Sequence, residues 1–343
     1  MNQETCVHVV LAADERFAMP LAVTVRSFLI QLRAGATSSV SVLDGGISPE
    51  SKRRVEASVE DLGHAVEWNW LPIPNDRLHS LEVSGHVSVA TYYRIFLASL
   101  LPAEIRRVIY LDCDTLVRDD LTKLYQETLG NHTCAAVQDI SAPFMASRMC
   151  SEVDDRWVHY LAATRPIPNF EDFGFVAKDP YFNAGVLLID VERWRSRDIE
   201  AKLLQCIQQH RADRLWWDQY ALNAVLHGDW IALDAGWNQT SHTYTLPMWR
   251  DSFLDEATFD RVKLNPSIVH FSSATKPWHA RCRHPFAKEY EAVLDQTSWK
   301  GVRPSWRDWM RETAINTHDQ SRRFLGTTLS HLLGKSNKPR HLG

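Results

Sequence analysis

The sequence lacks several features that would assign it to a class at once. It has no run of about 18 apolar residues, the length that a helix needs to cross a bilayer, so it predicts no membrane-spanning segment. Its first residues carry neither a basic stretch nor a long apolar one, and we expect no signal peptide. Its six cysteines include no C-x-x-C pair, which argues against a zinc site and a disulfide framework and favours a reduced, cytoplasmic protein.

An excess of positive charge is also missing. The 343 residues carry a formal net charge of −4, so the chain as a whole lacks the basic footprint of a nucleic-acid-binding protein, and we expect no nucleic-acid partner. Hydrophobic residues make up 45% and charged residues 23%, which is ordinary globular composition. The length suits one large α/β domain or two of ordinary size.

The first part of the chain alternates strand-like and helix-like segments. Strands are predicted at 6–13, 40–43 and 65–71, with helices between them that begin near Pro20 and after Ser48. This βαβαβ order is typical of a nucleotide-binding half. The turn after the first strand contains Asp14 but neither a Gly-x-Gly-x-x-Gly nor a P-loop motif, which excludes the usual dinucleotide and Walker fingerprints. Further along the chain, helices are predicted over 89–101 and about 191–210.

The strongest local feature is segment 107–117, where an apolar run meets Asp112 and Asp114. Its β-branched and aromatic residues predict a buried strand. Side chains two positions apart in a strand share a face, so we expect both carboxylates side by side at the strand's C-terminal end, where open α/β sheets bind ligands. Because like charges repel and buried carboxylates need a partner, a divalent cation is expected there, and oxygen ligands suit Mg²⁺ or Mn²⁺.

Polar residues at the ends of other predicted elements could join this pair. They are Asp14, Arg94, Asn183, Asp218, Gln219, His270 and Lys276. An imidazole added to two carboxylates suits Mn²⁺ better than Ca²⁺, and a nearby lysine would neutralise a phosphate that the metal also contacts. Taken singly, each residue is more often a cap, turn, core or surface residue, and only the joint pattern supports a site.

Two segments differ from the rest in character. Residues 140–180 lack clear periodicity, and we interpret them as lining a second-substrate site, with a purely structural insertion as the alternative. From Gly301 onward, the chain contains eight Lys or Arg but only three Asp or Glu. A basic amphipathic helix there indicates either contact with a membrane surface or packing on its own domain. The apolar residues on one face of this predicted helix are Phe324, Leu325, Leu329, Leu332 and Leu333.

In this order, the motifs resemble glycosyltransferase family 8, and in particular its bacterial lipopolysaccharide galactosyl- and glucosyltransferases. The resemblance runs from about Val7 to Trp278, most of the chain. The segments that carry it are 9–14, 93–94, 110–114, 182–186, 218–219 and 270–278.

The resemblance implies a GT-A fold, with one α/β catalytic domain over residues 1–300, a Rossmann-like mixed central sheet, and the basic helical extension at 301–343. A donor-binding half would span about 1–138 and an acceptor-side half about 139–300. It further implies a UDP-galactose or UDP-glucose donor, a glycan acceptor such as lipopolysaccharide core, retention giving an α-linkage, and Mn²⁺, with Mg²⁺ as the alternative. Such an enzyme would be cytoplasmic, with peripheral contact at the inner face of the cytoplasmic membrane through the extension.

The resemblance also assigns individual residues. The metal ligands would be Asp112, Asp114 and His270. The UDP-sugar contacts would be Ala12 and Asp14 at the uridine, Lys276 and the backbone near Ser273 at the diphosphate, and Arg94, Asp139, Asn183, Ala184, Asp218 and Gln219 around the sugar. Cys113 would be a further UDP-sugar contact. Gln219 and Asp218 would be the catalytic candidates.

Gln219 would stand where a retaining hydrolase places a carboxylate nucleophile, and an amide is a poor nucleophile. We therefore favour attack by the acceptor on the same face as the departing UDP, whose charge the metal and Lys276 would stabilise. Asp218 is expected to bind sugar hydroxyls, with a covalent role as the alternative. Arg16 and Ser273 depart from the family pattern, in which Asn and Gly are usual, and this leaves the detail of the donor pocket open.

Two other functions remain as alternatives at this level. Segment 111–117 also resembles the nucleophile motif of haloacid-dehalogenase-type, Mg²⁺-dependent phosphatases. That motif normally opens its domain, whereas here a βαβαβ unit precedes it and no clear acidic pair follows. A non-catalytic sugar-nucleotide-binding protein is the third hypothesis, and the intact set of Asp112, Asp114 and His270 argues against it.

Overall fold

The computed structural model describes residues 6–74, 89–151, 153–211 and 217–310. The strands in this part of the chain are β1 Cys6–Ala13, β2 Thr37–Asp44, β3 Val66–Pro72, β4 Arg107–Leu111, β5 Thr115–Val117, β6 Cys134–Gln138, β7 Phe182–Asp190, β8 Trp230–Ala232, β9 Gln239–Thr240 and β10 Ile268–His270. The helices are α1 Ala18–Gln31, α2 Pro49–Ala57, α3 Leu97–Leu100, α4 Leu121–Tyr125, α5 Asp155–Val158, α6 Val191–Ser196, α7 Ile199–Gln209, α8 Trp217–Val225, α9 Glu256–Leu264 and α10 Ala287–Leu294.

Seven strands form the central sheet in the order β3-β2-β1-β4-β7-β6-β8. All neighbours are parallel except β7, which runs antiparallel to both β4 and β6. The sheet is therefore mixed, as predicted, and the order of its first four strands is that of a doubly wound fold. The carboxyl ends of β1, β2 and β4 meet at one edge, which is where the polar residues collect.

The core consists of two apolar layers, one on each face of the sheet. Neighbouring residues of β4 show the alternation, because Tyr110 packs into one layer beside Tyr92 while Ile109 packs into the other beside Phe28. Because both faces of the sheet are covered, the central strands are nearly continuous apolar runs. Such runs are readily predicted from sequence.

The prediction of one strand through 107–117 is wrong in one respect. β4 ends at Leu111, the chain turns at residues 112–114, and β5 pairs antiparallel with β10 in a separate sheet of order β5-β10-β9. The Thr115 hydroxyl donates to the Asp112 carbonyl at 2.8 Å and closes the turn. The turn and the pairing with β10 thus replace a continued strand.

Two predicted helices are also divided in the structure. The helix predicted over 191–210 is two helices, α6 and α7, separated at Asp198, whose φ of 54° is left-handed. The helix predicted over 89–101 begins as the 3-10 segment Val89–Phe96 and becomes α-helical only in α3. Neither break alters the position of Arg94 near the sheet edge.

At the C-terminal end, residues 306–310 are helical, whereas 311–343, with the predicted amphipathic face, lie outside the described residues. Within the described part of the chain, no helix combines the length and the apolar character that a bilayer crossing requires.

Candidate functional site

Asp112, Asp114 and His270 converge beyond the end of β4. The Nε2 atom of His270 lies 3.4 Å from Asp114 Oδ1 and 3.8 Å from Asp112 Oδ2. One potential ligand atom from each residue falls within 4.8 Å of the others, and this is the single group of its kind among the described residues. The three residues that the sequence pairs with a metal are thus brought together, although a turn rather than strand alternation aligns the carboxylates.

Main-chain hydrogen bonds hold this acidic turn from several sides. The Asp112 N–H donates to the Gly185 carbonyl at 2.8 Å, and the Phe271 N–H donates to the Asp114 carbonyl at 2.9 Å. Thr24, fully buried in α1, places its hydroxyl 2.8 Å from the carbonyl oxygens of both Cys113 and Thr115. The turn is therefore anchored to β7, β10 and α1 at once.

Gly185 is needed because the imidazole of His270 lies against its backbone. A Cβ atom built there would lie 2.2 Å from His270 Cε1 and 2.6 Å from Nδ1. From sequence, the Ala184-Gly185 pair predicts close approach of a ligand to the backbone. In the structure a candidate metal ligand occupies that space.

Substituting Gly185 with Ala is expected to displace His270 and weaken Mn²⁺ binding at least about 10-fold, because the new methyl cannot coexist with the ring. Overpacking should also lower the free energy of unfolding by about 1–3 kcal/mol. Calorimetric Mn²⁺ titration and urea unfolding would measure both. Ala135→Val, which overpacks a fully buried position of β6, should destabilise without weakening metal binding. Equal Mn²⁺ affinities in Gly185→Ala and wild type would contradict the prediction.

Lys276 lies beside the same cluster. Its Nζ atom is 2.5 Å from Asp114 Oδ2 and 2.8 Å from the Phe271 carbonyl oxygen. Burial opposes ionisation of Asp114, but Lys276 and His270 outweigh it and hold the pKa of this carboxyl well below its usual range. Asp114 is therefore a carboxylate at neutral pH, the form that binds a cation.

Arg94 connects the acidic turn to the neighbouring pocket. Its Nη2 atom lies 3.0 Å from Asp112 Oδ1, its Nε lies 2.8 Å from Asp218 Oδ2, and its Nη1 donates to the Ala184 carbonyl. The guanidinium also packs 4.6 Å from the centroid of the Tyr110 ring. Burial disfavours its charge, but Asp112 and Asp218 prevail and raise the pKa of Arg94 above its ordinary value.

Asp218 is a buried carboxyl at the start of α8. Burial, together with the charge of Asp112, raises the pKa of Asp218 to about 6 against the opposing effect of Arg94. A carboxyl that titrates near neutral pH within a cluster of ionic groups is typical of a functional site.

This pKa predicts a pH-dependent stability. Because the folded value exceeds the ordinary one, the folded state holds the Asp218 proton more tightly, so its contribution is complete below about pH 4 and is lost as pH rises through about 6. A pKa raised from 3.8 to about 6 corresponds to about 3 kcal/mol in the free energy of unfolding. Urea unfolding between pH 4 and 7.5 should show wild type losing this stability relative to Asp218→Asn. A difference that does not change with pH would refute the prediction.

The remaining sugar-side candidates form one hydrogen-bonded group. Asp139 Oδ2 accepts from Asn183 Nδ2 at 3.0 Å and from Gln219 Nε2 at 3.2 Å. Gln219 Oε1 accepts from the Ala184 N–H at 3.1 Å. Four residues from three segments that are remote in sequence are therefore hydrogen-bonded to one another and form one wall.

The remaining UDP-sugar candidates include those expected near the uridine and the diphosphate. The Cys113 thiol donates to the Ala12 carbonyl at 3.3 Å, and burial raises the pKa of this thiol well above its usual value. Asp14 binds Arg16 Nη2 at 2.8 Å, and the Arg16 side chain is 73% exposed. Ser273 lies in an exposed loop, where its hydroxyl donates to the Thr275 carbonyl at 2.9 Å.

Three supporting residues escaped the sequence analysis. The Tyr110 hydroxyl donates to Asp112 Oδ1 at 3.0 Å, Asn238 Oδ1 lies 3.0 Å from His270 Nδ1, and Thr24 holds the acidic turn. Tyr110 lies two residues before Asp112 and could have been found by side-chain alternation. A mid-helix threonine and an asparagine in the short 3-10 segment Ala235–Asn238 carry no comparable local signal.

The cluster fits a divalent cation by the chemistry of its donors. Two carboxylates and one imidazole nitrogen form a mixed oxygen and nitrogen set of the kind that first-row divalent ions accept. His270 Nδ1 is engaged by Asn238, which leaves Nε2 facing both carboxylates. Lys276 already places one cationic group against Asp114, which shows that the turn attracts positive charge.

A mixed α/β sheet with a candidate divalent-metal site beyond the carboxyl ends of its parallel strands is typical of α/β proteins that bind their ligands at that edge. The comparison with family models is more specific. The chain belongs to glycosyl transferase family 8, whose model matches residues 8–282. The predicted family is confirmed, and the glycosyltransferase class is favoured over the phosphatase hypothesis.

Known proteins are similar over most of the chain. General stress protein A of Bacillus subtilis (strain 168) is 30% identical over 305 residues, which cover 88% of this chain and 98% of that protein. Lipopolysaccharide 1,2-glucosyltransferase of Escherichia coli (strain K12) is 26% identical over 235 residues, covering 68% and 62%. The crystal structure of the galactosyltransferase LgtC with donor and acceptor sugar analogues superposes with a TM-score of 0.68 at 26% identity, covering 88% and 99%. The predicted GT-A fold is thereby confirmed.

Proposed function

We propose that this protein transfers galactose or glucose from a UDP-sugar to a glycan acceptor, with lipopolysaccharide core as the acceptor class, and that it retains the anomeric configuration to form an α-linkage. The observation that carries the proposal is the convergence of Asp112, Asp114 and His270, with Lys276 on the same carboxylate. Support comes from the relatives, one a lipopolysaccharide glucosyltransferase and one a galactosyltransferase bound to donor and acceptor analogues.

In this proposal the donor extends along the edge of the sheet. Ala12 and Asp14 would contact the uridine, Cys113, Ser273 and Lys276 would lie toward the diphosphate, and the wall of Arg94, Asp139, Asn183, Ala184, Asp218 and Gln219 would surround the sugar. Residues 1–138 would form the donor half, and 139–300 the acceptor side, with 140–180 lining the acceptor site.

Asp112, Asp114 and His270 would hold Mn²⁺, with Mg²⁺ as the alternative. Such an ion neutralises charge that develops on the diphosphate as the sugar leaves. Lys276 would act beside it as a fixed positive group, since its ammonium already lies at the edge of this site. The ammonium can contact a phosphate without leaving the cluster.

The hydrogen bonds of Gln219 favour same-face attack over a covalent intermediate. Its amide oxygen accepts from Ala184 N–H and its amide nitrogen donates to Asp139, so both ends are engaged in the wall. Asp218 is turned to Arg94. We therefore propose that the acceptor oxygen bonds to the anomeric carbon as the carbon–phosphate oxygen bond breaks, and that the acceptor's proton passes to the departing phosphate oxygen. Asp218 and Gln219 would orient the sugar.

The test is a screen of UDP-sugars for UDP release with Mn²⁺, Mg²⁺ or EDTA, with and without an oligosaccharide acceptor. We expect release from UDP-galactose or UDP-glucose, loss with EDTA, and an α-linked product by NMR. A product of inverted configuration would refute retention. Binding of UDP-sugars without turnover under every condition would instead identify a non-catalytic binding protein.

A cytoplasmic position with peripheral contact at the inner membrane face through 301–343 is also part of the proposal. It rests on the basic composition of that segment.

A further inference from the structure

We propose that Asn238 is a positioning residue that fixes the tautomer of His270, so that the lone pair of Nε2 faces the metal site. No sequence motif singled out Asn238. It is 3% exposed, and its side chain lies between the imidazole of His270 and the amide of Asn183. The inference deepens the proposed function, because it concerns how this chain prepares the ligand set.

Asp139 fixes the orientation of its amide neighbour, because an ionised carboxylate can only accept hydrogen bonds. Its Oδ1 accepts from the Ser141 N–H at 2.8 Å and the Ser141 hydroxyl at 2.7 Å, while Oδ2 faces Asn183 at 3.0 Å. The atom of Asn183 directed at this carboxylate must therefore be its NH₂ group. The orientation of the Asn183 amide is thus determined by the chemistry of its neighbour.

The orientation of the Asn183 amide in turn determines that of the Asn238 amide. With its NH₂ on Asp139, Asn183 presents Oδ1 to the Gly185 N–H at 3.0 Å and to Asn238 at 2.9 Å. An oxygen needs a donor opposite, so Asn238 must present its Nδ2 group to Asn183. Its Oδ1 then faces His270 Nδ1 at 3.0 Å. An amide oxygen accepts but cannot donate, so His270 Nδ1 must carry the hydrogen.

A neutral imidazole that is protonated on Nδ1 has its lone pair on Nε2. Nε2 is the atom that lies 3.4 Å from Asp114 Oδ1 and 3.8 Å from Asp112 Oδ2. The opposite tautomer would direct an N–H at the site and could not bind a cation. Asn238 therefore acts through His270, and its orientation is set by Asp139, which also holds Gln219 on the sugar side.

Tautomers can be observed without turnover by ¹⁵N NMR of protein labelled at histidine, with the His270 signals assigned by their loss in His270→Gln. In metal-free wild type we expect a protonated Nδ1. In Asn238→Ala we expect the proton to move at least partly to Nε2, and affinity for Mn²⁺ alone, by calorimetry, to fall about 10–100-fold. Activity should then recover toward wild type at high Mn²⁺, with the change in the apparent KM for metal rather than in kcat.

Two further variants separate positioning from general stability. Asn238→Asp keeps an acceptor for Nδ1 and should keep the wild-type tautomer. Asn223→Ala removes another buried asparagine, one that bonds only backbone groups of Phe182 and Gln219 in the interactions described, and should destabilise without moving the His270 proton. If Asn238→Ala does not fold, wild type and Asn238→Asp still decide the question.

A neutral wild-type His270 that carries its single ring proton on Nε2 instead of Nδ1 would overturn the inference, as would unchanged Mn²⁺ affinity and tautomer in Asn238→Ala. Failure of the proposed function would be seen in a different measurement. If wild type did not turn over any UDP-sugar, the proposed function would fail, but the tautomer measurement would still test the role of Asn238.

Discussion

Replacing Asp114 with Asn is expected to lower metal-dependent UDP release about 10²–10³-fold, the largest catalytic effect that we predict for a single substitution. Asp114 faces His270 and Lys276 together, and its pKa is held low so that it remains ionised. Asparagine keeps the shape but removes the anion. The site would lose one of two carboxylates, and Lys276 would lose its counter-ion. Initial rates of UDP release at several Mn²⁺ concentrations would measure the effect.

The matched control is Asp260→Asn, the same chemical change at an exposed position of α9. This variant should retain the wild-type rate, because no predicted site residue lies beside it in sequence. Circular dichroism should show that both proteins are folded. Normal turnover by Asp114→Asn with Mn²⁺ present would show that the metal-site hypothesis is wrong.

Replacing Arg94 with Ala is expected to cause the largest loss of stability, about 3–5 kcal/mol in the free energy of unfolding. Its guanidinium lies between Asp112 and Asp218, with only 7% of the Arg94 side chain and 5% of the Asp218 side chain exposed. Removing the cation leaves two neighbouring carboxylates in a poorly solvated place. Urea unfolding at pH 7.5 would measure the loss.

The control for Arg94 is Arg156→Ala. Arg156 and Asp154 lie 2.8 Å apart, the same distance as Arg94 and Asp218, but their side chains are 57% and 44% exposed. Water and ions screen that pair, so little change in stability is expected. The Arg94→Ala deficit should also shrink toward pH 5, because protonation of Asp218 removes one uncompensated charge. Equal losses in the two variants would contradict this account of burial.

Much of the central sheet could be predicted from local sequence. The strands around β1, β2 and β4 are continuous apolar runs because helices and loops cover both faces, and such runs are detectable without knowledge of their neighbours. The types of site residue could also be predicted. Paired carboxylates near the end of a buried strand require a cation, and histidine and lysine at later strand ends are its natural companions.

Other predictions failed for reasons that lie outside any local window. The run 107–117 continues apolar through Leu116 and Val117, so periodicity alone cannot show that β5 leaves the central sheet to pair with β10. The break at Asp198 is likewise invisible, because both flanking helices have helical sequence patterns. For β5, the long-range pairing with β10 decided between two locally acceptable conformations.

The sequence by itself determined that the chain is an α/β protein with an acidic motif suited to a divalent cation, because apolar periodicity and carboxylate chemistry are properties of neighbouring residues. Only the tertiary structure decided how the site is assembled. Gly185 makes room for the His270 ring, Thr24 anchors the acidic turn, and Asn238 orients the imidazole. These roles depend on distances of a few ångströms between segments remote in sequence, and packing alone determines such distances.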